Sequence, residues 1–251
     1  MAKRAIITGA SSGIGRALAV ELSQQGWNLV LVARRKEQLE ELAKTLSTQT
    51  EIVSLDLTDR NALEAWIETL SATPIDLFVN NAGFGDQALF IESNWEKLDS
   101  MIELNIRALT RLCRAVAPLM QKQGSGAIVN VASTAAFMPG PLMAVYFATK
   151  AYVLSFSQAL HNELHPHGVH VMTLCPGATR TEFADRAGNH ALFKKEKSLP
   201  TAHDVARFTI ESLNKRRVVA IEGRRNRFMI FLVRLMPRTT ATNIARRVLD
   251  K

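Results

Sequence analysis

The chain has 251 residues, 47% of them hydrophobic, and no Pro- or Gly-rich linker, repeat or low-complexity stretch divides it; we therefore expect one domain over residues 1–251. Two cysteines exclude a disulfide framework and fit a reducing cytoplasm, and the longest apolar runs are far shorter than the roughly 20 residues of a membrane-spanning helix. The net charge of +8 belongs to residues 215–251, where eleven Lys and Arg against Glu222 and Asp250 give +9, so that residues 1–214 sum to −1.

Short apolar, β-branched runs alternate with longer helical patterns along the chain. Strands are predicted over residues 4–7, 28–32, 51–55, 76–79, 127–131, 170–174 and 218–221. Helices are predicted to begin near Ile14, Lys36, Arg60, Trp95, Ala144 and Ala202, with Asp59 and Thr201 as N-caps. This alternation indicates an α/β fold, a doubly wound parallel sheet of about seven strands with helices on both faces. A ligand then belongs at the carboxyl ends of the strands. Because Arg4 leads directly into a strand, no N-terminal signal segment is expected.

The first predicted strand runs into the glycine-rich turn Gly9-Ala10-Ser11-Ser12-Gly13-Ile14-Gly15. Glycines between a strand and a helix let the backbone approach a pyrophosphate, which then faces the free N–H groups of the helix N-terminus. The spacing differs from the G-x-G-x-x-G fingerprint, and an ordinary tight turn is the alternative. The second strand that follows about a dozen residues later favours dinucleotide binding.

Two arginines, Arg34 and Arg35, follow the second predicted strand. Enzymes that prefer NAD usually carry an acid at this point to bind the ribose hydroxyls. A guanidinium fork suits a 2′-phosphate instead, so the pair favours NADP(H), with Arg34 as the preferred contact. The alternative is that both arginines are solvated residues entering a helix.

Tyr146 and Lys150 lie four residues apart on a predicted helix, thirteen residues after Ser133. The spacing places phenol and ammonium on one helix face, where the cation can favour phenolate and lower the phenol's pKa. A hydroxyl from another segment can hold a substrate oxygen beside that phenol. Such a phenol can give a proton to a carbonyl, or take one from an alcohol, while hydride moves. Asn105 lies inside another predicted helix, where Asn is mildly unfavourable and therefore indicates a role.

These motifs, in this order, resemble those of the short-chain dehydrogenase/reductase family from Arg4 to about Ile221. The resemblance implies a Rossmann-type fold with Tyr146 as general acid/base. Lys150 would lower the pKa of Tyr146 and bind the nicotinamide ribose. Ser133 would orient the substrate oxygen, and Asn105 would hold a water that connects Lys150 to solvent.

The resemblance also implies a cofactor site. Asp56 would contact the adenine ring, with an N-cap as its alternative role, and Asn80 and Gly83 would shape the cofactor floor. After a strand-breaking Pro-Gly pair, Thr181 rather than Thr179 would bond the nicotinamide carboxamide. The predicted cofactor-binding residues are Gly9, Ser11, Ser12, Gly13, Ile14, Gly15, Arg34, Arg35, Asp56, Leu57, Asn80, Ala82, Gly83, Tyr146, Lys150, Pro176, Gly177, Thr179 and Thr181.

Two segments bear on the substrate. A lid over about residues 180–199 sets substrate choice, and an apolar pocket is predicted from Phe84, Phe137, Met138, Met143, Phe183, Ala187, Leu192 and Phe193. The tail, about residues 223–251, is basic and apolar together. It either packs over the substrate cleft or a partner subunit, or it lies as an amphipathic helix on an anionic membrane.

The sequence therefore favours an NADP(H)-dependent oxidoreductase that interconverts a ketone or aldehyde and an alcohol, in the cytoplasm or peripherally bound to a membrane through the tail. The alternative is a non-catalytic NADP(H)-sensing module, which would not need Tyr146, Lys150, Ser133 and Asn105 together. A sugar-nucleotide epimerase or dehydratase fits the chain length and glycine spacing poorly.

The remaining predictions concern partners. A homodimer or homotetramer is expected, because the helices starting near Trp95 and Ala144 carry the apolar residues Leu109, Leu112, Val153, Phe156 and Leu160. No nucleic-acid partner is expected, since no recognised motif accompanies the basic tail. No metal site is predicted: the four histidines between positions 161 and 170 suit a helix C-terminus. Cys175 is predicted to be a buried, inert thiol.

Overall fold

The computed structural model describes residues 2–183 and 199–250. Within them, seven strands form one parallel sheet in the order β3-β2-β1-β4-β5-β6-β7. The strands are β1 (Arg4–Thr8), β2 (Asn28–Ala33), β3 (Thr50–Ser54), β4 (Leu77–Asn80), β5 (Gly126–Val131), β6 (Val169–Cys175) and β7 (Val219–Ile221). Each lies within one residue of its predicted ends, so the predicted doubly wound parallel sheet is confirmed.

Helices cover both faces of the sheet, which explains why the strands are continuous apolar runs. They are α1 (Gly13–Gln24), α2 (Lys36–Thr45), α3 (Arg60–Thr69), α4 (Trp95–Ile102), α5 (Leu109–Gln123), α6 (Ala144–Leu164), α7 (Ala202–Asn214), α8 (Arg224–Leu235) and α9 (Arg238–Leu249). Helices α1, α2 and α7 share one hydrophobic core with the sheet, and α3, α5 and α6 share the other. All seven residues of β6 are buried between these two layers.

The predicted helix starts are confirmed, and the two predicted N-caps are present. The Asp59 side chain accepts hydrogen bonds from the backbone N–H groups of Asn61 and Ala62 at the start of α3. Thr201 and Asp204 form a reciprocal capping box at the start of α7. None of the described helices is long and apolar enough to cross a membrane.

The helix predicted to run on from Trp95 is divided into two. Between α4 and α5 the chain forms a π-helical segment, Glu103–Ala108, and Asn105 lies inside it. Such π-segments are frequent at functional sites because they re-aim a side chain that a regular helix would point elsewhere.

The apolar residues expected to form a subunit interface are mostly used within the chain. Leu109, Leu112 and Val153 are buried in the core beneath the sheet, and Phe156 and Leu160 are half-buried against it. Of these five side chains, only Phe156 and Leu160 therefore remain partly available for an interface. Amphipathic patterns alone do not distinguish a core face from an interface face.

The side of the sheet to which successive strands are added changes at β1. From β1 the chain builds outward through β2 and β3, and then returns to place β4 on the other side of β1. The loops after β1 and β4 consequently diverge and open a crevice at the carboxyl edge of the sheet. The backbone N–H groups of Asn81 and Ala82 donate to Thr8 Oγ1 at 3.0 and 3.1 Å and hold the two loops together.

Candidate active site

The glycine-rich loop after β1 forms one wall of the crevice. Gly9 and Gly13 have φ angles of +66° and +56°, a left-handed conformation that favours glycine. A Cβ atom on Gly9 would lie 2.8 Å from Asn81 Nδ2, so the loop also requires glycine for space. Ser12 is the N-cap residue of α1, and the first turn of that helix carries no acidic side chain. The loop and the helix N-terminus together suit an anionic group such as a pyrophosphate.

The two arginines after β2 line the crevice, and Arg35 contacts the glycine-rich loop. Its Nε and Nη2 atoms donate to Ser11 Oγ at 3.3 and 3.1 Å, and its Nη1 atom donates to Glu182 Oε2 at 3.0 Å. Arg34 Nη1 donates to Asp56 Oδ2 at 3.4 Å. Although the sequence singled out Arg34, both guanidiniums border the same space.

Asp56 closes a turn rather than capping a helix. Its Oδ1 atom accepts from the backbone N–H and the hydroxyl of Thr58 at 2.9 and 2.8 Å, while Asp59 is the N-cap of α3. Burial raises the pKa of Asp56, but the Thr58 hydrogen bonds and the Arg34 charge outweigh it and hold that pKa below its usual value. Asp56 is therefore a carboxylate at neutral pH, at the edge of the crevice.

Tyr146 and Lys150 lie on one face of α6 and point into the crevice. Lys150 Nζ donates to the backbone oxygen of Val131 at 2.8 Å and lies 5.8 Å from the centre of the Tyr146 ring. Burial lowers the pKa of Lys150 to about 8 and raises the pKa of Tyr146 to about 12. The predicted lowering of the phenol's pKa by the ammonium is not seen, because the cost of burying a phenolate dominates.

Ser133 stands where β5 ends, across from the Tyr146 phenol. Its hydroxyl accepts a hydrogen bond from the backbone N–H of Ala135 at 3.1 Å, which caps the 3₁₀ turn Thr134–Phe137 and fixes the side chain. The Ser133 hydroxyl donates to the backbone oxygen of Pro176 at 3.5 Å, and it lies close enough to the phenol to oppose the effect of burial on the pKa of Tyr146. Two hydroxyls therefore converge on one point of the crevice, where a substrate oxygen can sit between them.

Asn105 is buried behind the crevice wall and does not itself line it. Its Nδ2 atom donates to the backbone oxygen of Phe84 at 3.0 Å and to Thr149 Oγ1 at 3.1 Å. A Cβ atom on Gly83 would lie 2.9 Å from Asn105 Oδ1 and 3.5 Å from Lys150 Nζ, so the amide oxygen and the ammonium border the same small space. The water relay stays a prediction, and Gly83 keeps the space for it open.

Thr149 is a contributor that the sequence did not reveal. It accepts the Asn105 bond and donates its own hydroxyl to the backbone oxygen of Tyr146 at 2.7 Å. It therefore links the π-helical segment to the helix turn that carries the phenol. A threonine inside a helix gives no sequence signal of such a link.

Most of the predicted cofactor-binding residues line the crevice; Gly15 and Asn80 do not. Gly15 lies just behind the loop, where a Cβ atom would stand 2.5 Å from Asn81 Nδ2. Asn80 is buried in the sheet, and its Nδ2 atom donates to Asn130 Oδ1 at 2.9 Å. The predicted residues that do line the crevice are Gly9, Ser11, Ser12, Gly13, Ile14, Arg34, Arg35, Asp56, Leu57, Ala82, Gly83, Tyr146, Lys150, Pro176, Gly177, Thr179 and Thr181.

The tail packs over the open side of the crevice, as one of the two interpretations of the sequence proposed. Its apolar residues Met229, Val233, Ile244 and Val248 line the crevice opposite the sheet. The tail is attached by the Arg234 guanidinium, 5.5 Å from the Phe137 ring centre, and by a hydrogen bond of 2.9 Å from Gln87 Nε2 to the backbone oxygen of Leu249. The spacing of four residues between these apolar side chains, which places them on one helix face, is the sequence signal from which this wall could have been predicted.

The apolar pocket predicted for the substrate is present in part. Phe84, Met138, Met143 and Phe183 line the crevice, and the Phe183 ring centre lies 5.4 Å from that of Tyr146. The lid residues Ala187, Leu192 and Phe193 lie outside the described residues.

The histidines and cysteines take no visible part in the site. Across residues 2–183 and 199–250, no three His, Cys, Asp or Glu side chains stand close enough to hold a metal ion. Burial lowers the pKa of His170 to about 4 and raises the pKa of Cys175 to about 12. A thiol with so high a pKa is protonated and unreactive at neutral pH.

The chain is similar to proteins of one enzyme family. Residues 3–191 match the family model described as short chain dehydrogenase. An uncharacterized oxidoreductase of Staphylococcus epidermidis is 39% identical over 185 residues, which cover 73% of this chain and 80% of that protein.

Two solved structures share the fold and hold nicotinamide cofactors. A short-chain dehydrogenase from Sphingobium yanoikuyae in complex with NADPH is 38% identical, covers 87% of each chain and has a TM-score of 0.82. A short-chain dehydrogenase/reductase from Burkholderia phymatum in complex with NAD is 26% identical, covers 92% of each chain and has a TM-score of 0.84. The glycine-rich loop, the Tyr146–Lys150 pair and these similarities agree, and the chain belongs to the short-chain dehydrogenase/reductase family of oxidoreductases.

Proposed function

We propose that this protein is an NADP(H)-dependent oxidoreductase that interconverts an apolar ketone or aldehyde and the corresponding alcohol, with Tyr146 as the general acid/base. The observation that carries the proposal is the convergence of the Tyr146 and Ser133 hydroxyls on one point of a crevice that also holds the glycine-rich loop. A phenol whose pKa is about 12 stays protonated at neutral pH, so the resting site is prepared to donate a proton.

The protein's own residues provide the proton and hold the substrate. A bound nicotinamide cofactor supplies the hydride. Ser133 Oγ donates a hydrogen bond to the carbonyl oxygen and orients it, while Tyr146 gives that oxygen its proton. The Lys150 ammonium stabilises the tyrosinate that forms, through attraction between opposite charges in a buried site. Solvent then returns a proton to Tyr146, by way of the space shared by Lys150 and Asn105.

The preference for NADP(H) is supported by three side chains. Arg34, Arg35 and the Ser11 hydroxyl surround the place where β2 ends, and Arg forms strong, charge-assisted bonds to phosphate. Asp56 pairs with Arg34 at 3.4 Å, and Glu182 pairs with Arg35 at 3.0 Å. A 2′-phosphate can displace these partly exposed carboxylates and form bonds between opposite charges with two guanidiniums, which ribose hydroxyls cannot form.

An apolar substrate is supported by the crevice walls. Aromatic and thioether side chains from the sheet side face the apolar side chains of α8 and α9 across the space next to Tyr146. A substrate with two sizeable apolar groups would bury them on both sides of its carbonyl.

The proposal is tested by assaying ketones, aldehydes and secondary alcohols of graded size and polarity, each with NADPH and with NADH. The absorbance of the reduced cofactor measures turnover, and fluorescence titration measures binding independently. We expect faster turnover with NADPH and rising kcat/KM as the carbonyl substituents become more apolar. Tight NADPH binding without turnover on any compound would favour the NADP(H)-sensing module instead.

We also propose a homodimer or homotetramer located in the cytoplasm. Trp95 at the start of α4 and Tyr152 on α6 remain exposed and offer part of an interface. The thiols of Cys113 and Cys175 are unpaired, which fits a reducing compartment. Light scattering that gave a mass near 27.8 kDa at micromolar concentration would contradict the oligomer.

A further inference from the structure

Helix α8 has two apolar faces, and only one of them belongs to the active site. Ile230 is buried, and Met229 and Val233 line the crevice. The opposite face carries apolar side chains at spacings of three, four and seven residues, which share one side of a helix. They are large and exposed to solvent: Phe228 (62%), Phe231 (57%), Leu232 (40%) and Leu235 (70%). We call these four residues the outer face of α8.

The outer face lies in a strongly basic surrounding. Residues 224–250 contain seven arginines and one acidic residue, Asp250. Arg227 lies on α8 itself and Arg238 begins α9, and both are exposed. Asp250 pairs with Arg246 on α9, and Glu222 interacts with the charge of Arg227, so the arginines still outnumber the neighbouring acids.

The charge selects among the partners that could cover an exposed apolar face. A second copy of the chain, related by two-fold symmetry, would place two sets of these arginines against one another, and like charges across an interface are unfavourable. An anionic lipid surface matches both features. Lipid phosphates pair with the guanidiniums, and Phe and Leu side chains enter the boundary between headgroups and acyl chains.

We propose that the outer face of α8 docks the protein on an anionic lipid surface. Because the opposite face of the same helix lines the crevice, docking places the active site one helix diameter, about 10 Å, from the lipid. A carbonyl compound dissolved in the membrane would then have a short path to Tyr146. This last step rests on the proposed function, whereas the docking itself does not.

The test is co-sedimentation of the full-length protein with vesicles of phosphatidylcholine alone or mixed with phosphatidylglycerol, at low and at high ionic strength. We expect binding to the mixed vesicles only, and release by salt. Phe231→Ser with Leu235→Ser should lower the affinity at least tenfold. Arg227→Gln with Arg238→Gln should lower it roughly fivefold for each arginine removed.

Matched variants control for exposure and charge elsewhere on the surface. Phe90→Ser with Ile91→Ser removes two apolar side chains that are exposed at 62% and 88%, and Lys44→Gln with Lys122→Gln removes two exposed cations on other helices. Both pairs should bind vesicles as the parent protein does.

Tyr146→Phe separates docking from catalysis, since it should bind vesicles normally whatever its activity. Two results would overturn the proposal. The first is a parent protein that ignores anionic vesicles at low salt. The second is unchanged vesicle binding by the Phe231→Ser, Leu235→Ser variant. If that variant instead lowers the oligomer mass while the parent protein binds no vesicles, the outer face is a subunit contact and the proposal is likewise wrong.

Discussion

The two walls of the crevice are built in different ways. The sheet wall consists of loops that each follow a strand, and hydrogen bonds between neighbouring loops fix it, such as that from Asn81 Nδ2 to the backbone oxygen of Thr8 at 2.9 Å. The opposite wall consists of Phe183, α8 and α9, and it rests on the sheet wall through side-chain contacts such as that of Arg234 with Phe137.

This difference assigns the two walls different tasks. A cofactor phosphate needs backbone N–H groups and fixed charges, which strand ends and helix N-termini supply. A substrate needs a shape, which packed apolar side chains supply and which can change without disturbing the sheet. Substitutions in the sheet wall should therefore alter chemistry and cofactor binding, and substitutions in the opposite wall should alter substrate choice.

The largest effect is expected at Tyr146. Tyr146→Phe removes the proton donor and leaves the ring in place, so kcat should fall by about 10²–10⁴-fold. The affinity for NADPH, measured by fluorescence titration, should change little. A kcat near that of the parent protein would remove Tyr146 from its assigned role.

The sheet wall was largely predictable from the sequence because its requirements are local. The glycine-rich turn, Arg34 and Arg35 follow strands that their apolar runs reveal, and the Tyr146–Lys150 pair is defined by helix spacing. Other features depend on tertiary packing. The pKa of Tyr146 is set by burial, the contact of Arg35 with Ser11 by the meeting of two loops, and the placement of Met229 and Val233 by how the tail folds back. A linear sequence does not contain these distances.

Cofactor choice gives the next largest effect. Arg34→Ala with Arg35→Ala should weaken NADPH binding on the order of 10²-fold, because a hydrogen bond to a charged group contributes about 1.5–3 kcal/mol. NADH, which lacks the 2′-phosphate, should bind almost as before. Titration of both cofactors measures the ratio, and an equal loss for the two would show that the arginines act elsewhere than at a 2′-phosphate.

The pH dependence tests whether the ammonium of Lys150 is needed. Its pKa of about 8 means that the cation is present below that pH and lost above it, whereas Tyr146, with a pKa of about 12, keeps its proton throughout. We therefore expect kcat/KM for carbonyl reduction to fall by up to about tenfold per pH unit above pH 8. In Lys150→Arg the cation persists, so the fall should move to higher pH even if the rate is lower. If kcat/KM falls at the same pH in Lys150→Arg as in the parent protein, the fall reflects the titration of another group.

The opposite wall is tested by shortening its side chains, which enlarges the crevice. Met229→Ala with Val233→Ala removes side chains that face the crevice from α8. KM for apolar ketones should rise roughly tenfold, the effect of losing a few methylene contacts, while NADPH affinity stays unchanged. A loss of NADPH affinity of the same size would show that the two walls do not act separately.

The smallest effect is expected where the two walls meet. Glu182, just after Thr181, pairs with Arg35 at 3.0 Å, so its carboxylate competes with a 2′-phosphate for the same guanidinium. Both side chains are partly exposed, and exposed pairs contribute about 0.2–1 kcal/mol, so Glu182→Gln should raise NADPH affinity by no more than about fivefold. The affinity for NADH should not change, since no phosphate competes. Glu41→Gln removes another exposed carboxylate, on α2, and should alter neither affinity. If Glu182→Gln changes the affinity for both cofactors equally, Glu182 does not act by competing with the 2′-phosphate for Arg35.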